Sequence, residues 1–323
     1  AREKLEMSLL RQLMRQYPRD QISSLHNGNS PPWRVEYLDG SVSDAGGPGR
    51  ELMSLLSEEV MDTKQGYFIE TPNHRLDEKA DPSLIPSPSA SLDEMFYVGM
   101  LVALAYCSHS TQMFRFAPFV WDYLCGKKPT LAWQCDIDRA LCDLLMTPPE
   151  ELVGMPYTIP SVTGEEVVLE QSQFVSQATV DDYLNRVIEY KTHEFDQVLS
   201  ALKEGFNSLI APSATVLIDG DFLREQVCGY DDCPLDALKS WITISYGGNA
   251  LGETLFSILG SFTPEERRLF IKFSTGYANL SAVGNSWHGK ISVEFINSDK
   301  PDQQKPLPSA ATCCMSIRIP KYK

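Results

Sequence analysis

Long apolar runs, regularly paired cysteines and clustered positive charge are all missing from this 323-residue chain. The most hydrophobic stretch, Val98 to Tyr106, is far shorter than the ~20 residues that span a bilayer, so no membrane insertion is expected. Residues 1–19 carry charge throughout and have helical spacing, which argues against a secretory leader. The eight cysteines follow no spacing typical of a disulfide framework. They predict reduced thiols in an intracellular protein, cytoplasmic first and nuclear as the alternative. Cys228 and Cys233 lack a second pair or a nearby histidine to complete a zinc set, so no metal is expected. Gly247 to Gly252 is only superficially like a phosphate loop, because the Lys-Ser/Thr pair is missing, and no cofactor is implied.

What is present is an ordinary globular composition, 43% hydrophobic and 22% charged, long enough for one large or two smaller cores. The net charge of −15 is unevenly shared. Residues 251–323 hold nine Lys/Arg against six Asp/Glu, a net of +3, which leaves −18 on residues 1–250. An acidic major part speaks against nucleic acid and suits a basic protein partner.

Apolar spacing predicts a helix over 5–16 and a strand through Trp33, Val35 and Tyr37. Residues 44–50 are turn-rich and lead into a helix over 51–62. Ser91-Leu92-Asp93-Glu94 is a capping box that starts a helix over 92–107, apolar on nearly every side and so central to a core. Ile137, Leu141, Leu144 and Leu145 share one face of a helix over 137–146, and a single long helix is predicted over 179–206. Gly247 and Gly248 separate two complete apolar segments and suit a hinge. Thr263-Pro264-Glu265-Glu266 caps a further helix, with Leu269, Phe270 and Phe273 as its buried face and Gly276 as its stop. Ile291, Val293 and Phe295 alternate as a strand.

Residues 297–312 form a polar, proline-punctuated loop that runs into Cys313, after which Met315, Ile317 and Ile319 alternate with Ser316 and Arg318. That period of two describes a half-buried strand, with Cys313 at its mouth where a thiol is both held and reached. A lone cysteine is more often an inert buried thiol, so the setting carries the meaning. Cys314 is expected to point the other way and pack into the fold, since a vicinal disulfide is strained.

Leu307, Pro308, Thr312, Cys313, Pro320 and Tyr322 fall in the pattern of the active-site segment of HECT-type ubiquitin ligases, which this stretch resembles. Other blocks resemble the family in the same order: Asp44-Ala45-Gly46-Gly47 with Arg50-Glu51, Phe96-Tyr97-Val98-Gly99, Glu204-Gly205-Phe206, and Phe273-Ser274-Thr275-Gly276. His74 to Glu78 and Phe119-Val120-Trp121 resemble the large HECT ligases with beta-propeller repeats. The resemblance implies an α+β, bilobal fold: a large, mostly helical N-lobe over 1–246, a flexible hinge at 247–250 and a small α/β C-lobe over 251–323. It implies an E3 ubiquitin-protein ligase that takes ubiquitin from the thioester of a conjugating enzyme (E2) onto Cys313 and passes it to a substrate lysine. Thr312 would supply a hydroxyl hydrogen bond. An E2-binding subdomain over about 136–210 would offer Ile137, Ala140, Leu141, Leu144, Tyr183 and Val187, with Tyr183 as the aromatic anchor. The implied partners are ubiquitin, an E2 and protein substrates, without nucleic acid or membrane.

Two other readings stand beside this one. A non-catalytic E2-binding module is favoured by Ala311, where many family members have histidine, and by the sequence stopping at Lys323, before the short apolar-anchored tail that family members carry. A cysteine hydrolase would need a Cys-His pair, and only His288 shares the C-terminal part, in a turn-like setting.

Overall fold

The computed structural model describes residues 8–25, 33, 35, 47–170, 174–230, 233–246, 249–277, 279–280, 290–297 and 300–322. The elements that frame the site are, in chain order, helix α1 (Gly47–Val60), strands β1 (Phe68–Glu70) and β2 (Leu84–Pro86), and helices α2 (Leu92–Cys107), α3 (Leu131–Ile137) and α4 (Arg139–Met146). Strands β3 (Thr158–Pro160) and β4 (Glu166–Val168) follow, then helices α5 (Val180–His193) and α6 (Asp196–Asn207). The chain closes with β5 (Ile242–Tyr246), α7 (Asn249–Ser261), α8 (Pro264–Thr275), β6 (Ile291–Ile296), β7 (Ser309–Ala311) and β8 (Ser316–Pro320). The mixed helix and sheet content is that of an α+β protein.

The chain divides into two compact units, one of residues 1–16, 59–101 and 115–221, the other of residues 17–58, 102–114 and 222–323. In the first, β1 pairs antiparallel with β2 and β3 with β4. Leu141, Tyr157, Val180, Tyr183 and Val187 form one of its cores. Gly99 of α2 and Gly205 of α6 bring two helical backbones into direct contact. A Cβ at Gly99 would lie 1.8 Å from the Leu202 carbonyl oxygen, and one at Gly205 1.7 Å from that of Phe96.

In the second unit a four-stranded sheet has the order β5-β6-β8-β7, with β5, β6 and β8 parallel and β7 antiparallel at the edge. Alternate residues Ile291, Val293 and Phe295 of β6 are buried, as their spacing predicts. They pack with Leu238, Trp241, Leu259, Ile271 and Ile317 into one core. The capping box at Thr263 forms in full, and Gly276 ends α8 in the left-handed region (φ 75°), where a side chain is disfavoured.

Several sequence expectations are corrected. The helix expected over 137–146 is two, because Asp138 leaves helical geometry and its carboxylate accepts from the Leu141 N–H at 3.1 Å as the cap of α4. The long helix over 179–206 also breaks, at Glu194 and Phe195. There the buried Glu194 carboxylate accepts from the Val162 N–H (2.7 Å) and from Lys191 (3.2 Å), and Phe195 packs on Phe119. On α8, Leu269 and Phe273 are exposed, while Ile271, Ser274 and Thr275 are buried and Phe270 is partly covered. Trp33 and Val35 are not in a strand, and Tyr37 lies outside the described residues. The bend at Asp138 brings Cys135 and Cys142 together as a disulfide, with Cα atoms 5.3 Å apart, so the expectation that every thiol is unpaired does not hold.

Candidate active site

β7 and β8 pair in the register Ser309↔Arg318, Ala310↔Ile317 and Ala311↔Ser316, which leaves Thr312 to Met315 as a four-residue turn. Thr312–Cys314 is a single turn of 3-10 helix, closed by the Met315 N–H donating to the Thr312 carbonyl at 3.3 Å. Met315 adopts φ 48° and ψ 48°, a left-handed conformation that costs a non-glycine residue ~1–2 kcal/mol. Its side chain is buried and its carbonyl accepts from the Ser292 N–H at 2.8 Å, so the surrounding sheet holds it there. The expected strand therefore starts one residue later than the apolar alternation suggests, at Ser316.

This arrangement fixes the turn from behind, through Met315 and the fully buried Ile317, and leaves its front open. Cys313 is an exposed free thiol at the centre of that front. Cys314 is exposed as well, contrary to the expectation that it packs inward, because the 3-10 turn does not alternate its side chains as a strand would. The two differ in their bonding: the Cys314 thiol donates to the Ala311 carbonyl at 3.5 Å. Thr312 is half-buried beside Gly276, where an added Cβ would lie 3.6 Å from its own.

One residue that the sequence marks only as part of a family turn comes to the site. Arg50 of α1 donates from Nε to the Thr275 carbonyl at 3.2 Å and from Nη2 to the Thr312 carbonyl. Its guanidinium lies 5.1 Å from the centre of the Tyr277 ring. Nothing local in the sequence announces the second bond, whose partners are 262 residues apart.

In the other unit, Ala140, Leu141, Leu144 and Tyr183 meet at one cleft of about 520 Å³, joined by Leu76, Met155 and Ile159. Ala140 is exposed and Leu144 half-buried, so these present the open face of α4. Tyr183 is 1% exposed, with its hydroxyl donating to the Thr158 carbonyl at 3.1 Å and its ring against Tyr157. Burial raises the Tyr157 hydroxyl to about 12, helped by its bond to the Asp182 carboxylate. Val187 is wholly buried in the same core, and Ile137 lines a separate small cavity with Phe119, Trp133 and Phe195. The six expected groove residues are thus not one surface. Gly247, Gly248 and His288 lie outside the described residues.

An exposed thiol on a short turn whose base is locked into a sheet is reachable by a large electrophilic partner and can act as a nucleophile. The HECT-domain (ubiquitin-transferase) family matches residues 54–323, and the chain belongs to that family. E3 ubiquitin-protein ligase HERC2 of Homo sapiens is 29% identical over 311 residues, which cover 90% of this chain and 6% of that protein. E3 ubiquitin-protein ligase TOM1 of Saccharomyces cerevisiae is 22% identical over 310 residues, 90% of this chain and 9% of its own length. Probable E3 ubiquitin-protein ligase HERC4 of Homo sapiens is 21% identical over 308 residues, 90% of this chain and 28% of its own.

Proposed function

We propose that this chain is the catalytic module of an E3 ubiquitin-protein ligase, with Cys313 as the residue that carries ubiquitin. The observation that supports it most is the exposed, free Cys313 thiol on a turn braced at both ends, within a chain of the HECT family. In the first step the Cys313 sulfur, as thiolate, attacks the carbonyl carbon of the E2–ubiquitin thioester. A new C–S bond forms, the carbonyl oxygen carries the charge of a tetrahedral intermediate, and the old C–S bond breaks. The E2 thiolate leaves, and the proton that Cys313 gave up returns to the pool that reprotonates it. Sulfur suits both steps because thiolate is strongly nucleophilic and exchange between two thioesters is nearly balanced. In the second step a lysine amine attacks the Cys313 thioester, loses a proton and forms an amide, while the Cys313 sulfur leaves as thiolate.

The partners of this reading are ubiquitin, an E2 and protein substrates, in an intracellular, chiefly cytoplasmic setting. Among the described residues no helix is long and apolar enough to cross a membrane. The test is incubation of the chain with ubiquitin, activating enzyme and E2. A thiol-reducible ubiquitin adduct is expected; E2 binding without any adduct would instead favour the non-catalytic module that Ala311 suggests.

The E2 would dock on the open side of the α4 cleft. Ala140→Glu, on its exposed face, is expected to weaken E2 binding at least ~10-fold, or about 1.4 kcal/mol, with an unchanged melting curve. Tyr183→Ala should behave differently, costing ~3–5 kcal/mol of stability as a core truncation. Equal melting curves for wild type and Tyr183→Ala would show that Tyr183 is an accessible anchor after all.

A further inference from the structure

We propose that Arg50 is a positioning residue for Cys313, holding the carbonyl of the residue before it and so setting how the thiol is presented. This rests on the reading of Cys313 as the ubiquitin carrier. The guanidinium is itself fixed on three sides, by the Thr275 carbonyl, the Tyr277 ring and the Thr312 carbonyl. A planar fork held at two of those points has little freedom at the third, so it works as a ruler between the end of α8 and the catalytic turn.

The Thr312 carbonyl belongs to the peptide group whose nitrogen is that of Cys313. Because that group is planar, fixing its oxygen fixes the direction in which the chain enters Cys313. The turn does little to hold itself. Its closing bond from Met315 is 3.3 Å, longer than the usual 2.9–3.0 Å, and Met315 keeps its left-handed conformation through the sheet behind the turn and not through the turn's own bonds. Without Arg50, rotation of the Thr312–Cys313 peptide would lose no other charge-assisted bond described here, and Cys313 would sample several directions. Attack on a thioester needs one of them, with the sulfur aligned on the carbonyl carbon.

The same two helices are tied a second time, one face along, by the ion pair between Glu58 of α1 and Lys272 of α8. That pair does not reach the turn. It provides the control that separates presentation of Cys313 from simple packing of α1 on α8. Lysine at position 50 would keep the charge but lacks the fork that spans two carbonyls, so it is not a conservative change here.

The experiment compares wild type, Arg50→Gln, Arg50→Lys and Lys272→Gln in the full chain. Three quantities are read: backbone amide exchange in the 309–322 segment, E2 affinity, and the single-turnover rate of ubiquitin transfer from E2 to Cys313. Arg50→Gln should speed exchange in the turn and slow transfer at least ~10-fold at unchanged E2 affinity, with β6 still protected. Arg50→Lys should recover only a small part of the rate and decides the matter if Arg50→Gln does not fold. Lys272→Gln should leave turn exchange and transfer at wild-type values. Wild-type exchange and transfer in either Arg50 variant that folds, or an equal loss in Lys272→Gln, would overturn the proposal. Should the wild type form no adduct at all, the ligase reading fails, while exchange in the turn still tells whether Arg50 holds it.

Discussion

Cys313→Ala is expected to abolish the thiol-sensitive ubiquitin adduct, whereas Cys314→Ala should retain most of it. Exposure does not separate the two neighbours, since both thiols face solvent. Bonding does. The Cys314 thiol is engaged as a donor to the Ala311 carbonyl, which directs its sulfur back toward β7. Cys313 occupies the middle of the 3-10 turn, directly after the Thr312 carbonyl that Arg50 holds. Losing the nucleophile removes the covalent step itself, so the adduct should fall below detection rather than decline by degrees. The measurement is non-reducing electrophoresis with and without thiol after a short reaction with charged E2. An adduct that survives in Cys313→Ala and vanishes in Cys314→Ala would assign the chemistry to Cys314.

Gly99→Ala and Gly205→Ala should each destabilise the unit that holds them by ~3 kcal/mol or more, at the upper end for overpacking. The sign is the informative part. In a helix interior alanine is ordinarily better than glycine by ~1 kcal/mol. Here the new methyl group would stand 1.8 Å or 1.7 Å from a backbone oxygen of the facing helix, atoms that cannot step aside as a flexible side chain can. The helices must separate, losing contacts along α2 and α6. Because both residues serve one crossing, the double variant should cost less than the sum of the two singles. Chemical denaturation of the three variants checks this, and midpoints at or above wild type would show that the backbones do not meet so closely. The crossing also gives a physical reason for two of the blocks that resemble the HECT family, the ones ending at Gly99 and centred on Gly205.

Sequence alone determined the features whose causes are local. The cap at Thr263, the stop at Gly276, the alternation of β6 and the helix over Leu92–Cys107 follow from patterns that lie within a few neighbouring residues: a capping side chain, a glycine free to take positive φ, and apolar periodicity. The setting of Cys313 between a polar loop and an apolar strand was legible for the same reason, and its motif carried the family. The tertiary structure decided whatever depends on a partner far along the chain. Periodicity marks an apolar face without saying whether anything covers it, so Leu269 and Phe273 were expected inside and are exposed, while Tyr183 and Val187 were expected at a groove and are buried. The break at Asp138 follows from a cap, and the one at Glu194 and Phe195 falls where Glu194 bonds the distant Val162 N–H and Phe195 packs on Phe119. Arg50 shows the limit most clearly, because a hydrogen bond between residues 262 apart has no local signature and exists only where the fold brings a guanidinium to a carbonyl.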